Sequence, residues 1–161
     1  MTLHPLVQPY ESIAGQWSGL GHGHYPTIES FDYTETLTFT ALPGKPFMRY
    51  EQQTASPNGQ PMHTEVGFLR FVAEGRVEFV ISQPTGQTEL LEGTIEEQED
   101  GTLRLHFGNS QVVNSTTAKT VDATTRTYTF NALRSSVTTV FHMAAVDQPM
   151  QEHLASDLSK F

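Results

Sequence analysis

Most of the chain alternates apolar and polar residues with a period of two, which predicts β-strands that bury one face. The clearest runs lie at residues 37–39, 77–81 and 103–107. Similar short runs occur at 47–54, 63–72, 88–96, 111–118, 122–130 and 137–145. Together with a glycine-rich segment at 15–28, these runs predict about ten strands.

Turn-forming residues separate these runs, at Pro43-Gly44, Pro57-Asn58-Gly59, Glu74-Gly75, Pro84-Thr85-Gly86, Asp100-Gly101 and Gly108-Asn109. Short connections make consecutive strands antiparallel neighbours. An open sheet of about ten such strands would expose unpaired backbone groups along its first and last strands, and closing the sheet into a barrel removes these edges. We therefore predict an all-β fold, a ten-stranded antiparallel up-and-down β-barrel. Such a barrel is wider than the roughly eight-stranded barrel that side chains alone fill, so a ligand cavity is expected.

Both ends of the chain break the alternation. Residues 3–13 have irregular apolar spacing and two prolines, which predicts a short helical turn or cap. At residues 149–160, Met150, Leu154 and Leu158 recur at i, i+4 and i+8 after a proline, which predicts a short closing helix. On this helix His153 lies beside the apolar stripe and can face the barrel. The length of 161 residues predicts one domain, residues 1–161.

The segment at residues 15–28 is the most informative part of the chain. Gly15, Gly19, Gly21 and Gly23 surround Trp17. Glycine weakens a strand interior unless a bend, a bulge or a close approach requires the missing side chain. The repeat therefore predicts a first barrel strand under such a constraint.

Charge and composition exclude several partners. The net charge of −9 repels the phosphates of nucleic acid and anionic membrane surfaces. The chain has no cysteine, so thiolate catalysis, thiolate metal sites and disulfides are excluded. No apolar run approaches a membrane span, and the first residues lack a signal-peptide pattern, so a soluble cytoplasmic protein is expected.

Seven histidines raise the question of a metal site. Only His22-x-His24 forms a local pair, and no third ligand accompanies it, so solvent-facing strand histidines are favoured over zinc. A lone histidine is more often a surface or core residue than a ligand. His153, beside an apolar stripe on a closing element, is nevertheless in a setting where one imidazole can ligate haem iron.

The opening Gly15-x-Trp17-x-Gly19-x-Gly21, continuing to Tyr25-Pro26-Thr27-Ile28, resembles the signature of the nitrobindins. Further similar pieces follow in order, at residues 61–70, Arg126-x-Tyr128, residues 143–146 and His153-Leu154-x-x-x-Leu158. The resemblance covers the chain from about residue 10 to its end. Gly-x-Trp alone also occurs in lipocalin and fatty-acid-binding barrels, so the first motif is specific only together with the last.

The resemblance implies one haem b per subunit near one mouth of the barrel, with His153 as the single axial iron ligand. It places Thr27 close to the porphyrin, Met143 at the pocket, and Met62 and His63 on the distal side. The basic haem-contacting residue of the family has two rival positions in this chain, Lys119 and Thr125.

The resemblance further implies a ferric protein that isomerises peroxynitrite to nitrate and binds nitric oxide. The chemistry belongs to the iron, with no catalytic side chain. Each assigned residue also has a plainer interpretation. Trp17 is a core plug, Thr27 ends a turn, Met62 and Met143 fill gaps, and His63 lies on a wet rim.

Two other functions remain open at this stage. One is a non-enzymatic carrier of a fatty acid or other apolar ligand, whose carboxylate an inward Arg49, Arg70, Arg104 or Arg126 would hold. The other is a haem-based gas sensor or store that uses the same site. An exposed strand face would also allow a homodimer.

Overall fold

The computed structural model describes residues 2–161, and within them ten antiparallel strands close into a barrel. Each strand pairs with its neighbours in sequence, and β1 pairs with β10 to close the sheet. The strands are β1 (Gly15–Tyr25), β2 (Ile28–Ala41), β3 (Phe47–Ala55), β4 (Pro61–Ala73), β5 (Arg76–Ser82), β6 (Gln87–Glu97), β7 (Leu103–Asn114), β8 (Val121–Phe130), β9 (Ser136–Ala145) and β10 (Gln151–Lys160). The predicted all-β, ten-stranded up-and-down barrel is confirmed. No helix of the described chain is long and apolar enough to cross a membrane.

The C-terminal segment is a strand, so the predicted closing helix is wrong. β10 pairs with β1 on one side, from Trp17↔Lys160 to Gly23↔Leu154, and with β9 on the other. A short helix is only marginally stable by itself, and it would leave the backbone groups of β1 and β9 at open edges. A tenth strand satisfies both edges at once.

The Gly108-Asn109 pair lies inside β7 and is not the predicted turn. Gly108 is an extra residue, because Asn109 and Phe107 pair with consecutive residues of β6. Such a β-bulge changes the face that later residues present, and Val112 consequently lines the cavity. The run at 111–118 is therefore not a separate strand. The other five predicted turns connect consecutive strands.

The closed end of the barrel packs around Trp17, which is fully buried. Its Nε1 donates a hydrogen bond to the Ile13 carbonyl oxygen at 3.0 Å, and its ring meets Phe130 edge-on. The 3₁₀ helix Gln8–Ile13 covers this end and stacks Tyr10 on Phe71. The predicted N-terminal cap is confirmed, and Trp17 is a core residue.

The glycines of β1 make room for close neighbours. A Cβ added at Gly21 would lie 2.2 Å from Cζ of Tyr33, and one at Gly23 would lie 2.2 Å from Cζ of Phe31. Both rings therefore lie directly over the backbone of β1. At Gly19 the added Cβ would lie 2.1 Å from the carbonyl oxygen of Asp157 on β10. The close approach predicted from the glycine repeat is thus confirmed.

We expect Gly19→Ala to lower the free energy of unfolding by about 1–3 kcal/mol, the usual cost of overpacking. The added methyl group meets the β10 backbone, which cannot retreat without opening the closing pair. Equilibrium urea unfolding measures the loss. Gly108→Ala is the control, because its Cβ would meet only the His106 ring, at 3.1 Å. Equal losses in the two variants would contradict the role given to Gly19.

Candidate functional site

A cavity of about 740 Å³ opens at the end of the barrel opposite Trp17. This volume lies within the roughly 300–1,000 Å³ range of ligand and cofactor sites. Residues of the connections between strands, including Thr27, Thr85, Lys119 and Val146, form its mouth. The cavity predicted from the strand number is therefore present.

His153 reaches this cavity through a β-bulge in β10. Glu152 pairs with His142 and Leu154 pairs with Phe141, which leaves His153 as the extra residue. Consecutive strand residues normally point to opposite faces, but a bulge redirects a side chain. His153 and Leu154 accordingly both line the cavity. The imidazole faces the barrel as expected, but from a strand.

The hydrogen bonding of His153 fixes its tautomer. Its Nδ1 lies 2.9 Å from the carbonyl oxygen of His24. A carbonyl oxygen only accepts, so Nδ1 carries the proton and Nε2 keeps its lone pair. Burial lowers the pKa of His153 below the usual 6.5, which favours the neutral ring. Tyr25 and Phe31 pack edge-on against the imidazole, with ring centroids 5.2 and 6.4 Å away.

The other residues assigned from the resemblance line the same cavity. Thr27 lies between β1 and β2, Met62 and His63 lie near the start of β4, and Met143 lies near the end of β9. Met62 is 45% exposed, whereas the His63 side chain is 28% exposed with its Nε2 3.7 Å from Oε2 of Glu65. One cavity therefore brings together every residue of the assigned set.

The two rival basic positions differ in location. Lys119 lines the cavity mouth. Thr125 lies between Thr124 and Arg126, which both line the cavity, so strand alternation places its side chain on the outer face. Of the two positions, Lys119 is thus the one that lies at the cavity.

His22 and His24 lie on the outer face of β1. His22 Nδ1 is 2.8 Å from Oδ1 of Asp32, and His24 Nε2 is 3.7 Å from Oε2 of Glu152. Within residues 2–161 no group of three or more histidine, aspartate or glutamate side chains is arranged to hold a metal ion. The side chains of His22 and His24 are 57% and 43% exposed, which matches the solvent-facing interpretation.

A buried ion-pair network was not predicted from the sequence. The Arg126 guanidinium contacts Oε1 of Glu65 at 2.5 Å and Oε2 of Glu89 at 2.6 Å. All three residues are at most 5% exposed. Burial alone would raise the pKa of Glu65, but the charge of Arg126 and the hydrogen bonds from His63, Arg126 and Tyr50 together outweigh burial and lower that pKa. The strand alternation could have revealed this burial, because Glu65 lies an even number of residues from Leu69 on β4 and therefore points inward with it.

The arginines do not form the carboxylate site of a fatty-acid carrier. Arg49, Arg70 and Arg104 are exposed on the outer face. Arg126 lines the cavity, but Glu65 and Glu89 bind its guanidinium, which also lies 4.8 Å from the Phe141 ring centroid. The carrier interpretation therefore loses the contact on which it was based.

The surroundings of His153 fit a haem. The cavity as a whole has a volume in the range of cofactor sites, and Nε2 of the half-buried His153 is an oriented, unprotonated donor of the kind that ligates iron. Phe31, Phe141 and Leu154 supply apolar walls around this donor. The residues present thus match the donor and the surroundings that a haem requires.

Comparison with known proteins gives one consistent result. Residues 6–160 match the family described as the THAP4-like, heme-binding beta-barrel domain. The chain is 41% identical to a protein of Nocardia farcinica named peroxynitrite isomerase, over 99% of this chain and 94% of that protein. It is 38% identical to peroxynitrite isomerase 2 of Mycobacterium avium, over 98% of this chain and 96% of that protein.

A solved structure agrees with the barrel described above. The crystal structure of Rv2717c from M. tuberculosis superposes with a TM-score of 0.93 at 37% sequence identity. The match covers 99% of each chain. The similarity therefore extends over the whole barrel, including the strands that form the cavity.

We expect Arg126→Leu to lower the free energy of unfolding by about 3–5 kcal/mol, because it leaves two buried carboxylates without a cation. Urea unfolding at neutral pH measures this loss. The folded-state pKa of Glu65 is lowered, so the stability it contributes is present above its ordinary pKa of 4.5 and is lost as the pH falls further. The difference between the proteins should therefore shrink in acid.

Arg104→Leu is the matched control, since Arg104 lies exposed on the neighbouring strand β7. Exposed substitutions of this kind usually change stability by about 0.5 kcal/mol or less. Comparable losses in both variants would show that the buried network does not carry the stability assigned to it.

Proposed function

Because the chain belongs to the THAP4-like, heme-binding β-barrel family, whose cofactor is haem, we propose that it isomerises peroxynitrite to nitrate at a haem held by His153. The resemblance to the nitrobindins is confirmed by this family membership. Relatives named peroxynitrite isomerase, which match nearly the full chain, support the reaction. The observation that carries the ligand assignment is the neutral His153 imidazole, which lines the cavity with Nε2 unprotonated.

His153 is proposed as the single axial ligand of one haem b per chain. The His24 carbonyl accepts the Nδ1 proton, which keeps the ring oriented and increases the basicity of Nε2. Among residues 2–161, His63 is the other histidine that lines the cavity, and it lies near the mouth on β4. With His153 as the single ligand from the protein, the bound iron could also take a small molecule from the cavity.

When bound, the ferric haem supplies the iron centre at which peroxynitrite rearranges and to which nitric oxide binds. Phe31 and Phe141 line the cavity beside His153 and would keep water away from the bound haem. Peroxynitrite and nitrate have the same atoms and charge, so the reaction requires no net proton transfer. The proposed mechanism accordingly includes no side chain as a general acid or base.

The remaining residues would position the cofactor and substrate. Thr27 and Met143 are proposed to contact the haem, with Met62 and His63 on its distal side. Lys119, at the mouth, is the proposed basic contact because a positive charge there suits the carboxylates at the edge of a haem.

A homodimer and a cytoplasmic location complete the proposal. Val66, Phe68 and Leu90 are between 43% and 53% exposed on the outer face of β4 and β6, and such apolar side chains support a protein contact. The cysteine-free composition is compatible with the reducing cytoplasm.

We expect His153→Ala to weaken haem binding at least about tenfold, because it removes the iron ligand. Reconstituted wild-type protein should show a Soret band that is weakened or shifted in the variant, and added imidazole should partly restore it. Since burial lowers the pKa of His153, wild-type protein should retain haem somewhat below pH 6.5 and lose it as the pH falls further. His142→Ala is the control, because His142 lies on β9 outside the set of cavity residues. An unchanged spectrum in His153→Ala would end the assignment.

We also expect ferric, haem-loaded protein to accelerate peroxynitrite decay and to increase the nitrate yield. Stopped-flow absorbance gives the rate, and ion chromatography gives the yield. Haem-free protein and His153→Ala serve as controls, and both should leave the decay near its spontaneous rate. Nitric oxide binding without acceleration would instead indicate a gas sensor or haem store.

A further inference from the structure

His153 receives less support from the backbone than most strand residues. The pairs between β1 and β10 end at Gly23↔Leu154, one residue before His153 is reached. On the other side, β9 pairs with Glu152 and Leu154 and skips His153, which is the extra residue of the bulge. Within residues 2–161, His153 therefore has no paired residue on either neighbouring strand. Because a bulge leaves a residue out of the ladder, side-chain contacts must supply the orientation of the imidazole.

One hydrogen bond does not fix an imidazole ring by itself. The bond from Nδ1 of His153 to the His24 carbonyl oxygen, 2.9 Å long, still allows the ring plane to turn about the line between these two atoms. Three aromatic rings surround the imidazole, with centroid distances of 5.2 Å for Tyr25, 6.1 Å for Phe141 and 6.4 Å for Phe31. Tyr25 is the nearest, and the two ring planes make an angle of 68°. Of the three rings, Tyr25 is the one with a polar group that can fix its own position.

The Tyr25 side chain spans β10. Tyr25 belongs to β1, and its hydroxyl group binds the backbone of β9, the strand on the far side of β10. The hydroxyl donates to the Met143 carbonyl oxygen at 3.1 Å and accepts from the Ala145 backbone N–H at 3.0 Å. Because Tyr25 is 5% exposed, these bonds lie in a low-dielectric interior, where they are stronger than in water. The tyrosine ring is therefore held at both ends, by β1 and by β9, beside the imidazole that projects from β10.

We propose that Tyr25 is a positioning residue for His153, whose ring it keeps turned so that Nε2 points into the cavity. The hydroxyl bonds to β9 hold the Tyr25 ring in place, and that ring packs against the imidazole. The inference rests on the proposed function, because it concerns the imidazole that would ligate the haem iron. A metal-ligating histidine is usually oriented through a hydrogen bond to its other nitrogen, which the His24 carbonyl oxygen accepts here. Tyr25 adds the constraint that this bond lacks, since it restricts rotation of the ring plane.

Tyr25→Phe removes the hydroxyl group and keeps the ring, so it tests the bonds to β9 alone. We expect haem to dissociate about tenfold faster, which is the lower end of the usual cost of losing a residue that orients a metal ligand. Haem transfer to an excess of apomyoglobin measures this dissociation rate. Resonance Raman spectra of the ferrous protein measure the stretching frequency of the bond between iron and Nε2 of His153. This frequency should shift or broaden, because the freed imidazole adopts more than one orientation.

Tyr33→Phe is the matched control. Tyr33 on β2 also lines the cavity, and its hydroxyl group reaches across β1 to donate to the Ala155 carbonyl oxygen on β10 at 3.4 Å. Its ring packs beside Phe31, with 5.9 Å between the ring centroids, and not against His153. Both variants lose a hydroxyl group that connects two strands, so a general loosening of the barrel would appear in both. We expect Tyr33→Phe to leave the stretching frequency of the iron–Nε2 bond unchanged.

The haem-free protein provides a second measurement, which does not depend on the haem assignment. Nuclear magnetic resonance of isotope-labelled protein identifies the tautomer of the His153 ring, and nuclear Overhauser effects detect its contact with the Tyr25 ring. In the wild type we expect one tautomer, with the proton on Nδ1, together with a contact between the two rings. In Tyr25→Phe we expect exchange broadening of the His153 ring signals, whereas Tyr33→Phe should keep these signals sharp.

Failure of this proposal is distinguishable from failure of the haem assignment. An unchanged Soret band in His153→Ala would refute the haem ligand, whereas the ring signals of haem-free protein test Tyr25 separately. Wild-type dissociation rate and stretching frequency in a folded Tyr25→Phe protein would overturn the positioning role, and so would equal changes in Tyr33→Phe. If Tyr25→Phe does not fold, the wild-type protein decides the matter. A nuclear Overhauser contact between Tyr25 and His153 would then support the proposal, and its absence would overturn it.

Discussion

The pairing of β1 with β10 is the constraint on which the rest of the structure depends. It converts a row of ten strands into a closed barrel and removes both sheet edges. The same pairing sets the strand of His153 against the strand of His24, whose carbonyl oxygen fixes the imidazole tautomer. The glycines of β1 permit this arrangement, because Gly19 lets the β10 backbone approach and Gly23 lets the Phe31 ring lie flat. The strand pairing that closes the barrel therefore also fixes the orientation of His153.

Departures from regular strand alternation place the cavity residues. Alternation would send His153 and Leu154 to opposite faces, but the bulge in β10 turns both toward the cavity. The bulge at Gly108 likewise brings Val112 inward on β7. A bulge leaves a residue out of the hydrogen-bond ladder, and bulges are common beside functional sites because they redirect a side chain. Regular strands form the barrel wall, and the bulges direct additional side chains into the cavity.

The interior combines a neutral site with an ionic one. Around His153 the surroundings are largely apolar, and burial keeps the imidazole uncharged. Deeper in the barrel, Arg126 on β8 connects Glu65 on β4 with Glu89 on β6. A buried ion pair contributes little net stability compared with apolar packing, but loss of one partner is costly. This network is therefore better understood as holding three distant strands in a defined arrangement around the cavity.

The sequence by itself determined the strand period, five of the connections between strands, the glycine–tryptophan strand and, through the resemblance, the family and His153. These features are local, because side-chain alternation and turn chemistry are set by residues close together along the chain. The tertiary structure decided the rest. Leu154 and Leu158, four residues apart, share a face in a helix and also in a strand, and only the edges of β1 and β9 select the strand. The Gly108 bulge depends similarly on the partner strand, and Arg126 meets Glu65 across 61 residues of sequence. Such pairings arise from barrel closure, which no short stretch of the chain encodes.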